Sequence, residues 1–365
     1  MVSKQCGGQN CHLDVTFEDG VTWLARIRLD DPLLPPREAQ NHIFLSEVAT
    51  LEFLSKTSIP APRIYQYQLE GANNPVGSSY VLMEKMPGKP LDWTSATQDQ
   101  RTLILEQLAS LYMEIEKYPL PMMGSMALSE PLGSIGAFAQ EPWFEAPDKP
   151  LGPFLTLEAA YRTVISQHLQ ALRSREVSSL PFDNYLSFLW RLQTLPQLVK
   201  TSVSSCGPYY LKHYDDKGDH ILVDDDFNIT GVIDWEFASA EPKELAFSSP
   251  CMMWPVGQFY DGSNSLSDEE LTFAQVFAKR GRSDLSNLVL TGRPWQRYAF
   301  FLGGGIPQDR AEFEALFKGL RESWEGSDQT PVTSYKDWCR ENVGNYMAIY
   351  PELQTFLEED QGSTM

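Results

Sequence analysis

The sequence predicts an α+β fold, with a small antiparallel sheet up to about Met86 and a larger, mostly helical remainder. Two observations carry this. Short strand-like runs with period-2 alternation are confined to the first ninety residues and to one later hairpin. The rest of the 365-residue chain is dominated by apolar stripes at helical spacing. Strands gathered in one stretch and helices in another favour α+β over alternating βαβ units.

The elements follow in order. Val15–Arg28 reads as a hairpin, with Asp19-Gly20 as a two-residue turn. On its second strand Trp23, Ala25 and Ile27 share one face, and Leu24, Arg26 and Arg28 share the other. A helix is expected from about Glu38 to Lys56. Glu47, Leu51 and Leu54 fall at i, i+4 and i+7, which sets Glu47 on or beside an apolar stripe. A carboxylate there is costly unless paired, and Arg26 is the natural partner. Arg63–Gln68 and Ser79–Glu84 read as two more strands. Lys85-Met-Pro-Gly-Lys-Pro-Leu91 then breaks the pattern.

Beyond it, Ile104, Leu108, Leu111 and Ile115 form a stripe, and Thr97-x-x-Gln100 reads as a capping box. Met122–Pro153, rich in Gly, Ser and Pro, reads as an extended loop. Phe313, Leu316, Phe317, Leu320 and Trp324 form a second helical stripe. Both stripes are read as core packing. His12, His42 and His168 stand alone and read as surface or packing residues.

The richest stretch is Leu211-Lys-His-Tyr-Asp-Asp-Lys-Gly-Asp-His-Ile-Leu-Val-Asp224, followed by Asn228-Ile-Thr-Gly-Val-Ile-Asp-Trp-Glu236. The apolar runs Ile221–Val223 and Ile229–Ile233, joined by an Asp-rich turn, predict an antiparallel hairpin. That pairing brings Asp215 and Asp234 to one end, with His213, Lys217 and His220 nearby. Two carboxylates, an ammonium and an imidazole at one mouth suit phosphoryl transfer to a hydroxyl. One carboxylate takes the acceptor's proton and another holds a divalent metal on the phosphates. Asp215 suits the first role and Asp234 the second. Lys217 could neutralise the transferring group. His220 stands where a second metal ligand is expected.

His213-x-Asp215-x-Lys217, then a hairpin and Asp234, resembles the catalytic loop and metal-binding Asp of kinase-like folds. The runs Ile221–Asp224 and Ile229–Glu236 look like the aminoglycoside phosphotransferase family in its fungal form. So do Leu132-Gly-Ser-Ile-Gly136 and Leu151-Gly-Pro-Phe154. The resemblance implies a bilobal protein-kinase-like fold, with a nucleotide-binding lobe at 1–86 and a catalytic and substrate lobe at 87–365. It implies ATP and Mg2+, with Asp215 as catalytic base and Asp234 as metal ligand. Arg26 matches the strand cation that contacts the nucleotide phosphates, and Arg26–Glu47 resembles the Lys–Glu pair of kinases. The segment near Glu84 and Met86 resembles the hinge whose backbone meets the adenine edge. Gly7-Gly8-Gln9-Asn10 resembles the glycine loop over the phosphates, although Met1–Cys6 is short for a complete first strand. One position departs from the family, which has Asn where this chain has His220. Magnesium prefers oxygen ligands, so three outcomes stay open: His220 binds the metal weakly, Asp219 substitutes, or the site is impaired.

Other classes are disfavoured. A formal charge of −20 argues against nucleic acid or anionic lipid as partners and would attract a cationic small-molecule substrate. Acids near Glu236 and Glu241 are candidates to meet such a group. No Gly-x4-Gly-Lys-Ser/Thr occurs, which disfavours a P-loop enzyme. Ser204-Ser205-Cys206 lacks the setting of a nucleophile elbow. Gly303–Gly305 reads as a flexible turn. Cys6, Cys11, Cys206, Cys251 and Cys339 show no metal spacing and suggest reduced thiols. With no secretory signal and no apolar run long enough to span a membrane, a cytoplasmic location is expected. Two rivals keep the fold: a non-catalytic nucleotide-binding module, and a protein kinase. The latter is disfavoured because no Ala-Pro-Glu anchor follows Asp234.

Overall fold

Five antiparallel strands open the chain: β1 (Lys4–Cys6), β2 (Asn10–Thr16), β3 (Thr22–Arg28), β4 (Ile64–Gln68) and β5 (Tyr80–Glu84). They form one sheet in the order β1-β2-β3-β5-β4. The structure, a computed structural model, describes residues 4–6, 9–30, 34–146, 148–176, 180–302, 307, 309–325 and 333–362. The expected hairpin is present but longer than Val15–Arg28, because β2 begins at Asn10. Its register runs from Asn10↔Arg28 to Thr16↔Thr22. The connection is also wider than two residues. Phe17 N donates to Val21 O at 2.8 Å and closes a loop that holds Gly20 at φ +86, a conformation glycine adopts without a Cβ clash.

Helix α1 (Arg37–Leu54) follows as expected. Phe44 and Val48 pack on Val81 and Met83, with Leu24 and Ile64 at the margin. Glu47 is buried on the same helix, among Ile43, Leu51 and Leu54 and other buried positions. After β5 the chain turns at Gly88, φ +100, where a Cβ would come within 2.7 Å of Val223 O. Only glycine permits that approach. It lets β6 (Lys89–Pro90) join β12 (Ile221–Val223), which pairs in turn with β13 (Ile229–Val232). The β12–β13 hairpin is the expected one. In its turn Asp224 does more than sit in solvent: its Oδ1 accepts from the backbone N–H of Asp226 at 3.0 Å and of Asn228 at 2.8 Å. Asp225 and Asp226 are exposed.

Helix α2 (Gln98–Ile115) starts with the predicted Thr97/Gln100 capping box and buries Ile104 and Leu108. The segment 122–153 is not a plain loop. It forms the two-stranded ladders β7 (Ser125–Met126) with β8 (Ile135–Gly136) and β9 (Phe144–Ala146) with β10 (Lys149–Pro150). Trp143 stacks on Phe138 at 3.9 Å, and both are buried. The Gly, Ser and Pro content had masked this small apolar centre. Strand β11 (Tyr210–Lys212) pairs with β14 (Ser239–Glu241).

By internal contacts the chain divides into two compact units, Met1–Pro153 with Pro208–Glu241, and Phe154–Gly207 with Pro242–Met365. The expected lobe boundary at residue 86 falls inside the first unit. The elements above all belong to that unit. The second is helical: α3 (Leu157–Arg173), α4 (Pro181–Thr201), α5 (Lys243–Ala246), α6 (Val256–Tyr260), α7 (Asp268–Lys279), α8 (Ser283–Leu290), α9 (Arg293–Leu302), α10 (Arg310–Glu325), α11 (Tyr335–Ile349) and α12 (Glu352–Gly362). The predicted stripe lies in α10, where Phe313, Leu316, Phe317 and Leu320 are fully buried. His168 is half-buried and stacks on Phe188, a packing role as expected. Among the described residues no helix is long and apolar enough to cross a membrane. Cys11, Cys206, Cys251 and Cys339 are free thiols. Gly303–Gly305 lies outside the described residues.

Candidate active site

The first unit contains a cavity of about 660 Å³. Seven of the candidate site residues named from sequence line it: Arg26, Glu47, Glu84, Met86, Asp215, Asp234 and Glu236. They come from β3, α1, the end of β5 and the connection after it, and both ends of the β12–β13 region, so only the fold brings them together. Gly7 and Gly8 lie outside the described residues.

Arg26 and Glu47 pair side by side. Arg26 Nη1 donates to Glu47 Oε1 at 2.8 Å, and Nη2 donates to Oε2. Both side chains are buried, and such a fork is the strongest geometry open to this ion pair. Burial pushes the Arg26 guanidinium below its ordinary pKa, while the Glu236 and Asp234 charges oppose that shift. Asp234 Oδ1 lies 3.6 Å from Arg26 Nη1, and its side chain is 55% exposed. Its carboxylate is therefore held near a cation yet open to a ligand.

The catalytic-loop candidates divide into two groups. Asp215 is half-buried, lines the cavity and pairs with Lys217 Nζ at 3.0 Å. That contact raises the Lys217 pKa. His213 is buried and its Nε2 meets Ile233 O at 2.9 Å, joining this loop to the residue before Asp234. His220 sits behind the site. Its ring stacks on His213 with centroids 4.2 Å apart, and its Nδ1 accepts from Gly218 N at 3.3 Å. Burial, with the charges of His213, Lys212 and Lys217, pushes its pKa down to about 2, so the ring stays neutral. Lys217, Asp219 and His220 are not among the cavity walls. Asp219 is exposed. Among the described residues no group of three or more His, Cys, Asp or Glu side chains converges as a metal cage.

Several wall residues escaped the sequence reading. His12 on β2 lies directly across from Arg26, is half-buried and lines the cavity. Burial and then the Arg26 charge lower its pKa, and Asp234 opposes them. Asp14, two residues on, also faces the cavity and accepts from Lys85 Nζ at 2.7 Å. The available signal was the alternation of Asn10, His12 and Asp14 against Cys11, Leu13 and Val15. Glu236, named from sequence as an acid that could meet a cationic group, has its charge already matched by Arg28 at 2.5 Å. Glu241 is buried away from these walls. Its Oε1 accepts from Ser239 Oγ at 2.7 Å, and burial raises its carboxyl to about 7 against the opposing pull of Ser239 and Lys212. His42 is half-buried, with Nε2 against the carbonyls of Ala137 and Phe138, a packing role as expected.

Comparison with known proteins bears on this site. A family model described as the phosphotransferase enzyme family matches residues 15–242, which span every cavity residue from Leu24 to Phe237. A clavilactone A biosynthesis cluster protein from Ampulloclitocybe clavipes is 27% identical over 329 residues, covering 85% of this chain and 74% of that protein. A subtelomeric hrmA-associated cluster protein from Aspergillus fumigatus is 32% identical over 123 residues, or 33% of this chain. The match spans only 23% of that relative's length. Among solved structures, a protein assigned as a fructosamine-3-kinase from Thermobifida fusca aligns with TM-score 0.54 at 14% identity, covering 89% of this chain and 94% of its own. An ethanolamine kinase from Plasmodium vivax aligns with TM-score 0.51 at 14% identity, covering 88% and 77%. At these identities the likeness establishes the kinase-like fold that the motif implied.

Proposed function

The chain belongs to the phosphotransferase enzyme family, and from that premise we propose that it moves a phosphoryl group from ATP, with Mg2+, onto a hydroxyl of a small molecule. The observation that carries this reading is the meeting of Asp215, Asp234 and the Arg26–Glu47 pair around one cavity. ATP would supply the phosphoryl group, and magnesium would neutralise the phosphate charge.

The chain's own residues take the following parts. The sheet before residue 86 serves as the nucleotide side, with backbone near Glu84 and Met86 meeting the base. Arg26, oriented by Glu47, contacts phosphate oxygens. Asp215 accepts the proton of the acceptor hydroxyl as its oxygen bonds to phosphorus and the nucleoside diphosphate leaves. Lys217, beside Asp215, balances charge at the transferring group.

Asp234 suits the metal role. It is a half-exposed carboxylate facing the cavity, and magnesium is commonly held by one or two carboxylates, substrate phosphates and retained waters. His220 suits that role less well, because its Nδ1 is engaged by Gly218 and its ring is stacked. Asp219 is an exposed alternative. We therefore assign the protein's metal contact chiefly to Asp234.

A low-molecular-weight acceptor is favoured over a protein. Strand β14 begins five residues after Asp234, which leaves no room for a long activation segment before it. The biosynthetic-cluster relative points the same way. A non-catalytic nucleotide-binding module is the second reading, and the sequestered His220 is what favours it.

Thermal shift with ATP, with and without magnesium, on wild type and Asp234→Ala is the direct test. Stabilisation that requires magnesium and disappears in the variant is expected. Absence of any shift would remove the nucleotide role. A magnesium-dependent shift without turnover on any alcohol acceptor would favour the binding module.

A further inference from the structure

Strand β3 carries a second buried cation on the face that carries Arg26, two residues on. Arg28 Nη2 donates to Glu236 Oε1 at 2.5 Å, and Nη1 donates to Gln9 Oε1 at 2.8 Å. The two charged side chains are 7% and 6% exposed. Arg28 thus ties together two pieces of the cavity wall. Gln9 lies where β2 begins, and Glu236 lies two residues after Asp234.

The segment it holds is strained. Asp234 has φ +60 and Phe237 has φ +68, a region that side-chain-bearing residues seldom occupy. Such backbone persists only where its surroundings over-determine it. Upstream, Ile233 N donates to His220 O at 2.8 Å. Downstream, Gln140 Nε2 donates to Phe237 O at 2.7 Å. Between these anchors, Glu236 ties the stretch to the sheet through Arg28.

We propose that Arg28 and Glu236 are positioning residues that hold the strained Asp234 segment in its metal-binding geometry. The pair neither touches substrate nor supplies the metal ligand. It sets where the Asp234 carboxylate stands relative to Arg26. The proposal rests on the phosphotransferase reading above, and its test separates the two.

The test measures Mn2+ binding by electron paramagnetic resonance in the presence of a non-hydrolysable ATP analogue. ADP affinity in EDTA serves as the metal-free control. Glu236→Gln and Arg28→Gln should each weaken Mn2+ by about ten- to a hundredfold, as loss of an outer-shell partner does. The double variant should be no weaker than either single one, and metal-free ADP affinity should be unchanged in all three. Two results overturn the proposal. One is equal loss of metal-free ADP binding, which makes the pair a general support of the fold. The other is tighter Mn2+ binding in Arg28→Gln with its loss in Glu236→Gln, which makes Glu236 a metal ligand withheld by Arg28. If the glutamine variants do not fold, Arg28→Lys and Glu236→Asp keep both charges while altering the geometry. Weaker Mn2+ at constant ADP affinity supports the lock, and unchanged Mn2+ overturns it. A wild-type protein that binds neither ADP nor the Mn2+–analogue pair overturns the phosphotransferase reading and the lock with it. Wild-type binding that every variant leaves intact overturns the lock alone.

Discussion

Replacing Glu47 with Gln should damage the protein twice, and the two injuries can be read separately. The Arg26 and Glu47 side chains are 7% and 4% exposed. Gln removes the negative charge and one arm of the fork, leaving a buried cation whose nearest other anion is Asp234, 3.6 Å away. Breaking a buried pair on one side costs about 3–5 kcal/mol. The nearby Asp234 and Glu236 charges put this case at the lower end, about 3 kcal/mol. In a cooperative unit the size of the first one, each kcal/mol moves Tm by roughly 2–4 °C, so a fall of about 6–12 °C is expected. The second injury is functional. Arg26, released from Glu47, turns toward Asp234 and competes with the metal, so magnesium-dependent ATP binding should weaken more than metal-free binding. Calorimetric unfolding and titration calorimetry with and without magnesium report the two effects. The double variant Arg26→Met/Glu47→Leu separates them further. A buried ion pair replaced by apolar side chains is often neutral in stability, so Tm should largely return while phosphate binding stays lost. A single variant with unchanged Tm and unchanged magnesium dependence would refute the claim that Glu47 positions Arg26. Restored nucleotide binding in the apolar double variant would refute a role for Arg26 on phosphate.

Three further outcomes are expected. Asp215→Asn should lower turnover by roughly 10²–10⁴ in a steady-state assay while leaving ATP affinity intact; unchanged turnover removes Asp215 from the mechanism. His12→Ala should weaken ATP by about tenfold, as loss of a hydrogen bond to a charged group does, and leave adenosine affinity unchanged. An equal loss for both ligands in titration calorimetry would place His12 against the base instead. Glu241 gives a pH signature. Its folded-state pKa of about 7 lies above the ordinary value of 4.5, so the folded chain binds this proton more tightly than the unfolded one. The stability it contributes is full below about pH 4.5 and is lost as pH rises through about 7, by at most about 3 kcal/mol. Glu241→Gln should flatten that part of the Tm–pH profile, and a profile that declines as in wild type would show that Glu241 stays ionised in the fold.

What could be read beforehand was whatever depended on local periodicity. The face of β3, the stripe of α1 and the apolar runs of β12 and β13 each declare themselves within a few residues. The Arg26–Glu47 pair followed because a carboxylate on an apolar stripe demands a cation and only 21 residues separate the two. His12 was lost for a specific reason. With β2 taken to start at Val15, the alternation of Asn10, His12 and Asp14 lay outside the strand, and a lone imidazole there looked like surface. The Arg28–Glu236 contact spans 208 residues, and no local pattern foretells it. The segment 122–153 misled by composition: its Gly, Ser and Pro content signals loop, while Phe138 and Trp143 give it a buried centre.

Position 220 joins these threads. From sequence, a histidine in place of asparagine left three outcomes open at the metal. In the structure the imidazole has other partners, the His213 ring on one face and the Gly218 N–H at Nδ1. His213 in turn holds Ile233 O, and His220 O receives Ile233 N. The histidine pair therefore braces the backbone immediately before Asp234, just as Arg28 and Glu236 brace it immediately after. If Asp234 holds the metal as proposed, the imidazole at 220 belongs to the support of that carboxylate. On this view the substitution concentrates the protein's share of metal binding on Asp234, and the precision of that one residue, supported from both sides, matters more than it would in a site with two protein ligands.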